Sequence, residues 1–233
     1  MAYGFLDIAA TPSVKAAQED NGSLAFWSDF KGNRAFDRFT ENEEEFIASR
    51  DSFYMATVSE TGWPYMQHRG GPPGFLKVLD EKTLGFADFR GNRQYISLGN
   101  LSVDNRAALF LMDYARRARL KIFARVEVRD LASDPELAAK LVVPGYKAKV
   151  ERAMLLHLEA FDWNCPQHIT PRFTEAEIAQ GVAPLRARLT ALETENETLR
   201  AKLAALENEH GSRTPAPPAF QHSRGRRAEG PTG

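Results

Sequence analysis

The chain has 233 residues and a formal net charge of −1 at pH 7, so charge gives it no overall bias towards nucleic acid or a membrane surface. Apolar residues make up 43% of it and include 15 Phe, which is ample for one substantial core. A single cysteine, Cys165, excludes an intrachain disulfide framework and suits a reducing compartment. Residues 1–10 lack the features of a secretion signal, and no run of about 18 apolar residues indicates a membrane span. We therefore expect a soluble, cytoplasmic protein.

The sequence divides into four zones. Residues 1–39 mix Gly, Asp and Asn with scattered aromatic side chains, which indicates an arm packed on a larger body. Residues 40–178 carry the predicted core, and residues 182–210 carry a heptad repeat. Residues 211–233 contain Pro, Gly and several Arg without periodicity, and there we expect disorder.

The core zone opens with a predicted helix. Thr40 and Glu43 have the spacing of a capping box, with Glu43 reaching back, and the helix is expected to run to about Ser49. Three strands rich in strand-forming residues follow, at residues 53–58, 75–78 and 84–89. Asp80-Glu81-Lys82 forms a short hairpin turn between the last two.

A second strand pair is predicted at residues 107–114 and 119–128. In its second strand apolar and polar residues alternate, which indicates one buried and one polar face. Residues 93–101 predict a short helix between the pairs, and Asp134 and Pro135 are a suitable N-cap and first residue for another. About six short strands with few helices favour a mainly β chain, folded as a small antiparallel barrel.

Residues 85–95 have the pattern of an anion site. A strand ends at Phe89, a turn containing Gly91 follows, and a helix is predicted to begin near Arg93. The first amides of a helix lack internal partners and favour a phosphate group. Asn92 is suited to cap this helix and Arg93 to add a charged contact. The alternative is an ordinary surface turn with Arg93 in solvent.

A second unusual stretch, residues 62–75, places Arg69 immediately before the sequence GGPPGF. Gly70 and Gly71 have no Cβ, so the backbone could approach a flat ring closely, and the prolines stiffen the loop. The alternative is a rigid connection that binds no ligand.

Together the two stretches resemble the pyridoxamine 5'-phosphate oxidase-related flavin-binding proteins, over roughly residues 40–175. The order of features matches: a strand beginning Gly-Trp-Pro, then Arg69, a hairpin, Phe86-Ala87 and Asn92-Arg93-Gln94. The match is best to the branch that carries His-Arg-Gly-Gly-Pro-Pro-Gly-Phe. The resemblance implies an FMN-binding split β-barrel with flanking helices, in a two-fold homodimer with the flavin at the subunit interface.

The resemblance also implies roles for individual residues. Arg69 and Arg93 would contact phosphate, with Asn92 and Gln94 as neutral helpers. The ribityl chain and the isoalloxazine ring would be lined by backbone of Gly70, Gly71, Phe86 and Ala87. The family's second cationic residue is replaced by Gln94, so Arg90 or Lys77 would have to compensate. The implied cofactor-binding residues are Arg69, Gly70, Gly71, Phe86, Ala87, Asn92, Arg93, Gln94, Trp163, Gln167 and His168.

The last three of these belong to a late segment of the kind that often closes the flavin site in this family. They are candidates for contacts with the ring or the substrate, and the alternative for Trp163 and His168 is simple packing. Cys165 and His168 could suggest a metal pair, but no two further ligands have convincing spacing, so we expect no metal site.

The leading hypothesis for function is a flavin-dependent oxidoreductase, for which the sequence identifies no catalytic base. The first alternative is a flavin- or haem-binding protein without turnover, since related split barrels bind haem or a deazaflavin, and His68 or His168 could serve as an axial ligand. The second is an interaction module with the barrel as scaffold. Oxidation of pyridoxamine 5'-phosphate itself is disfavoured, because a heptad repeat occupies the place of the C-terminal extension that recognises substrate in such enzymes.

The heptad repeat predicts a parallel two-stranded coiled coil. One core position holds Val182, Leu189, Asn196, Leu203 and His210, and the other holds Leu185, Leu192, Leu199 and Leu206. A lone Asn at the first position favours parallel pairs, and the flanking charges would attract: Arg188 faces the partner's Glu193, Glu195 the partner's Arg200, and Lys202 the partner's Glu207. Pro184 would fall in the first turn. The alternative is one amphipathic helix folded onto the barrel; no basic region indicates DNA binding.

Overall fold

The computed structural model describes residues 4–28, 37–164 and 166–211. The chain forms two compact units, Met1–Phe173 and Thr174–Gly233. Cys165 and the predicted disordered tail beyond residue 211 lie outside the described residues. Within the described ranges, no helix has both the length and the hydropathy needed to cross a membrane.

Within its described residues, the first unit contains six α-helices and seven strands. The helices are α1 (Phe5–Ala9), α2 (Pro12–Asp20), α3 (Leu24–Ser28), α4 (Glu41–Ala48), α5 (Ile96–Val103) and α6 (Pro135–Leu141), with a 3-10 turn at Leu131–Ser133. The strands are β1 (Ser52–Val58), β2 (Pro64–Gly70), β3 (Lys77–Asp80), β4 (Thr83–Phe89), β5 (Arg106–Asp113), β6 (Ala118–Arg129) and β7 (Val150–Asn164). The second unit contains α7 (Glu175–Gly211).

All seven strands form one antiparallel sheet in the order β2-β1-β5-β6-β7-β4-β3. The last strand in sequence therefore lies inside the sheet, with β6 on one side and β4 on the other. The sheet curves so that Phe53 of β1 contacts Phe86 of β4, with ring centroids 5.4 Å apart. This arrangement is consistent with the predicted split barrel, with one strand more than the approximate number expected.

Alternating burial explains the central strands. In β5 and β6, Leu109, Leu111, Leu120 and Ile122 are buried in the main core, and the residues between them face outwards or are half-buried. Strand β4 is buried on both faces, because Ala87 joins a second cluster beneath α6.

Helix α4 confirms the predicted capping interaction and fastens the start of the domain to its last strand. The Glu43 carboxylate accepts hydrogen bonds from the amide and hydroxyl of Thr40, at 3.0 and 2.6 Å. Its other oxygen accepts a 2.7 Å bond from the indole Nε1 of Trp163. The predicted cap of α6 is also confirmed, since the Asp134 side chain accepts a bond from the Leu137 amide.

Two element boundaries and one whole strand differ from the predictions. Phe75 and Leu76 are buried in a loop, so β3 begins only at Lys77. The predicted helix start near Arg93 is wrong, because Arg93 and Tyr95 have φ of 65° and 54°, and α5 begins at Ile96. A left-handed residue cannot continue a right-handed helix. The sequence analysis also missed β7.

The N-terminal zone packs on the sheet through α1. Phe5 stacks on Phe123 of β6 with a centroid distance of 4.4 Å. The Lys121 ammonium lies 4.6 Å from the Phe5 ring centroid. An aromatic pair capped by a cation fixes this short helix against the outer face of the sheet.

Helix α7 is longer than the predicted coiled coil of residues 182–210. It begins after Thr174, whose amide and hydroxyl donate to Glu177 while its hydroxyl accepts from the Glu177 amide. Pro184 therefore lies inside the helix and not in its first turn as predicted. Since proline has no amide hydrogen, the Gln180 carbonyl lacks its helical donor.

Candidate functional site

A small recess lies where β4 ends and the chain turns into α5. Residues of β2, β4, α5 and β7 line it, together with the turn between β4 and α5. It measures about 50 Å³, well below the roughly 300–1,000 Å³ of a small-molecule pocket. On a single chain it has room for a compact group such as a phosphate but not for a whole nucleotide.

Arg69 projects from β2 into this recess. Its Nη1 donates a 2.7 Å hydrogen bond to Oδ1 of Asp88 on β4, and its side chain is only 13% exposed. β2 and β4 are not neighbours in the sheet, so the ion pair links two strands that are not hydrogen-bonded to each other. The buried Nε of Arg69 has no hydrogen-bond partner among the described residues. An unpaired donor on a buried cation is costly and indicates a place for an acceptor.

Asp88 joins two cations at the floor of the recess. Its second oxygen accepts a 3.3 Å bond from Nη1 of Arg152 on β7. Burial raises the pKa of Asp88, against the opposing effect of Arg69 and Arg152. A bound anion would therefore share Arg69 with this carboxylate.

The turn between β4 and α5 brings Asn92 and Gln94 together. The Asn92 side-chain oxygen accepts a 3.1 Å bond from the Gln94 amide, and its nitrogen donates to Oε1 of Gln94. Asn92 thus closes a local turn and does not cap α5 as predicted, because Tyr95 occupies the N-cap position. Tyr95 makes no side-chain cap, so the first amides of α5 are available.

Arg93 lines the recess but is exposed. It makes no hydrogen bond or ion pair with any residue in the described ranges, which fits either a solvated side chain or one that closes over a ligand. The two residues expected to compensate for Gln94 are engaged elsewhere: Arg90 donates to Glu151 at 2.8 Å, and Lys77 donates to the Gly74 carbonyl at 3.1 Å.

Glu151 and Arg152 were missed by sequence reasoning. Glu151 accepts bonds from Arg90 and from the Tyr95 hydroxyl, and the Arg90 bond is the main cause of its lowered pKa. Arg152 lies 5.3 Å from the Tyr95 ring centroid and supplies a second partly buried cation. The signal was an adjacent Glu-Arg pair before an apolar run, which has meaning only once β7 is known to be a strand.

Ser97 is a further missed residue of the recess. It is buried in the first turn of α5, and its hydroxyl donates a 2.9 Å bond to Oε1 of Gln67 on β2. This bond fixes the start of α5 against the strand that carries Arg69.

The glycines after Arg69 have a packing explanation. A Cβ on Gly71 would come within 2.7 Å of Cγ of Phe75, and one on Gly70 would meet Cε1 of His68 at 3.0 Å. Phe75 in turn stacks on Phe53 in the main core. Gly71 therefore makes room for the protein's own aromatic ring, and any contact of Gly70 or Gly71 with a cofactor stays a prediction.

Phe86 and Ala87 lie in β4, with both side chains buried. Their backbones pair with β7 on one edge of the strand, at Met154 and Ala153. On the other edge β3 pairs no further than Gly85. Among the described residues, the far end of β4 thus has no strand neighbour on that edge.

The late-segment candidates do not join the recess. Trp163 is part of β7 and packs edge-on against Phe46, in addition to its bond to Glu43. Gln167 is exposed, and His168 lines a separate groove of about 510 Å³ on the face that carries Tyr54. For Trp163 the structure supplies the packing role that was the stated alternative. Across the described residues, no group of three or more His, Cys, Asp or Glu could hold a metal ion.

The amino-acid sequence of the region that forms the sheet shows the family to which the chain belongs. The family model for pyridoxamine 5'-phosphate oxidase matches residues 39–162, which is more than half of the chain. The chain therefore belongs to the pyridoxamine 5'-phosphate oxidase family, and the suspected resemblance is confirmed. No curated protein matches it.

Several solved structures are similar to the chain. A putative pyridoxamine 5'-phosphate oxidase from Lactobacillus delbrueckii is 21% identical, with 54% of this chain and 94% of that chain covered and a TM-score of 0.41. General stress protein 26 from Bacillus anthracis is 11% identical, with coverages of 57% and 95% and a TM-score of 0.40. An FMN-binding protein from Syntrophomonas wolfei is 11% identical, with coverages of 66% and 97% and a TM-score of 0.37.

Proposed function

We propose that the protein binds FMN, holds its phosphate in the recess at the end of β4, and acts as a flavin-dependent oxidoreductase. The observation that carries the proposal is the Arg69 guanidinium, a buried cation whose Nε lacks a partner among the described residues. Membership of the pyridoxamine 5'-phosphate oxidase family supports the choice of cofactor.

The residues around the recess are suited to a dianionic group. Arg69 can donate through Nε to a phosphate oxygen while Nη1 keeps its bond to Asp88, which holds the guanidinium in place. The uncapped first turn of α5 adds amide donors and the positive end of a helix. Arg93 is placed to close over the group from the turn.

The rest of the nucleotide would extend out of the recess. The unpaired edge of β4 beyond Gly85 offers backbone groups for the ribityl chain and the ring. The proposal includes a two-fold dimer through the outer face of the sheet, where Tyr54 and Met66 are exposed. FMN supplies hydride chemistry when bound, and the protein's own residues bind and orient it and limit access of water.

The proposal is tested by measuring FMN and riboflavin binding to the full chain, using quenching of flavin fluorescence. FMN is expected to bind more tightly than riboflavin. Inorganic phosphate should compete with the binding of FMN but not with that of riboflavin. Arg93→Ala should weaken the binding free energy of FMN by about 1.5–3 kcal/mol, because a charged hydrogen bond to phosphate is lost. The affinity for riboflavin, which has no phosphate, should not change. Equal affinity for the two flavins would show that the phosphate is not held in the recess.

Matched variants separate binding from folding. Arg69→Lys keeps a positive charge beside Asp88 but removes Nε, and it should weaken FMN binding without unfolding the chain. Arg116→Ala removes an exposed arginine outside the recess and should change nothing. Absence of any flavin binding by the unaltered chain would contradict the proposal.

Activity is tested separately from binding. A flavin-loaded protein that is reduced by a nicotinamide donor and reoxidised by an acceptor would support an oxidoreductase. Bound flavin that no such donor reduces would favour the non-catalytic alternative. A Soret band on addition of haem, with loss of that band in His68→Ala or His168→Ala, would favour a haem-binding protein.

A further inference from the structure

Helix α7 carries a stripe of apolar side chains that the chain leaves exposed. Its 37 residues span about 56 Å at the usual rise per residue. The stripe keeps alternate spacings of three and four residues, and Ile178, one heptad before Leu185, extends it four residues before the predicted start. The exposed fractions of its leucines run from 43% for Leu192 to 71% for Leu185, and Val182 is half-buried. A continuous stripe of this kind is typical of a helix that pairs with another helix.

We propose that α7 pairs in parallel and in register with α7 of a second copy of this chain. The first argument is Asn196, the polar residue at an otherwise apolar core position. In a parallel pair it meets its own counterpart across the axis, where two amides can bond to each other. In an antiparallel pair it would face an apolar residue and lose that bond.

The second argument is charge complementarity along both flanks of the stripe. With the helices parallel and in register, Arg188 lies beside the partner's Glu193, and Glu195 beside the partner's Arg200. Lys202 lies beside the partner's Glu207. All three kinds of contact join opposite charges, so a second copy of this helix is a suitable occupant for the stripe.

The opposite side of α7 does not compete for a partner. Thr194 and Thr198 lie there, and their hydroxyls donate to the carbonyls of Thr190 and Thr194 at 2.9 Å. Pro184 also lies away from the stripe, so its ring does not obstruct a neighbouring helix. The pairing surface is therefore confined to one side.

Disulfide trapping in the full chain tests both pairing and direction. In a Cys165→Ser background, Leu185→Cys and Leu199→Cys are prepared separately and exposed to oxidised glutathione. A parallel, in-register pair brings each cysteine to its own counterpart, so most of each variant should become a covalent dimer. Ala201→Cys, on the outer side of the helix, is the matched control and should cross-link more slowly by about an order of magnitude.

Two results would overturn the proposal. Equal cross-linking of all three variants would show chance collision and no pairing along the stripe. Cross-linking of Leu185→Cys chains only when they are mixed with Leu203→Cys chains would show an antiparallel pair, in which residues of the two core positions face each other. FMN binding measured on the same samples reports on the sheet unit, so failure of one proposal is distinguishable from failure of the other.

A charge exchange gives a second, independent test. A basic chain carrying Glu193→Lys and Glu207→Lys, and an acidic chain carrying Arg188→Glu and Lys202→Glu, should each cross-link poorly alone through Leu199→Cys. Mixed together they should cross-link as well as the unaltered helix, because opposite charges are restored in the mixed pair. Unchanged cross-linking of either chain alone would contradict the proposed register.

Discussion

The sheet unit buries its large apolar side chains, whereas helix α7 exposes its leucines. Phe53, Phe86 and Phe161 of the sheet are each 1% exposed, whereas Leu185 and Leu189 of α7 are 71% and 58% exposed. The sheet completes a core within one chain, since its curvature brings distant strands together. On our proposal, a second copy of the helix buries the α7 leucines. The same chain thus contains a unit stabilised from within and, on our proposal, a unit stabilised by association.

The largest expected effect is the loss of an aromatic ring from the core of the sheet. Phe86 packs edge-on against Phe53 and Phe75 at centroid distances of 5.4 and 6.4 Å. Phe86→Ala should lower the free energy of unfolding by about 3–5 kcal/mol, measured by urea denaturation. Trp63, 76% exposed, supplies the control: Trp63→Ala should change stability by less than about 0.5 kcal/mol. Similar losses in both variants would break the contrast between core and surface.

A smaller effect is expected where the last strand meets α4. Trp163→Phe keeps a ring beside Phe46 but removes the hydrogen bond to Glu43. Stability should fall by about 1.5–3 kcal/mol, because a buried carboxylate loses one donor. FMN affinity should stay the same if Trp163 is a packing residue. Weaker FMN binding with unchanged stability would instead favour the predicted ring contact.

Helix α7 should respond to substitution through assembly. Asn196→Leu makes the stripe uniformly apolar, so the helix should melt at a higher temperature and form assemblies larger than dimers, as measured by sedimentation. Ala201→Leu adds the same side chain on the outer side and should leave both properties unchanged. A dimer that persists in Asn196→Leu would show that Asn196 does not set the number of helices.

The smallest effects concern two carboxyl groups of the sheet unit with opposite pKa shifts. Hydrogen bonds from Arg106 lower the pKa of Asp104 from 3.8 to about 2, whereas burial raises the pKa of Asp88 above 3.8. The stabilisation from Asp104 is present above pH 3.8 and is lost as the pH falls towards 2. For Asp88 the sign reverses, since acidification neutralises a carboxylate whose charged form burial disfavours.

Carbon NMR titration of the two carboxyl groups measures this difference directly. In Arg106→Ala, the pKa of Asp104 should return towards its ordinary value while Asp88 is unaffected. A common pKa for both groups in the unaltered protein would contradict the prediction.

The alternating strand β6 could be predicted from the sequence, and the last strand, β7, could not. β6 alternates apolar and polar residues, and it was predicted within a residue of its observed ends. β5 is a short apolar run next to it and was also predicted within a residue of its ends. In β7, Met154, Leu155 and Leu156 are buried in succession, because the strand is central and has α6 on its other face. The period of two is absent there, and with it the signal for a strand.

The candidate site was likewise predicted only in part. The placing of Arg69 and Arg93 around one recess was predicted from the order of motifs. The predicted capping role of Asn92 was wrong, because Arg93 and Tyr95 have left-handed backbone conformations and α5 begins only after them. Arg152 could not be predicted because its strand was not, and only tertiary contacts show that Gly71 accommodates Phe75.

The position of β7 has a consequence for how the chain folds during synthesis. β7 is the only described strand that joins β6 to β4, so before residue 150 leaves the ribosome the pair β3-β4 has no edge connection to the other strands. The nascent chain then carries two separate patches of sheet with exposed apolar faces, which is a state prone to aggregation. A stop codon placed before Val150 should therefore give an insoluble product, whereas one placed after the sheet unit should not.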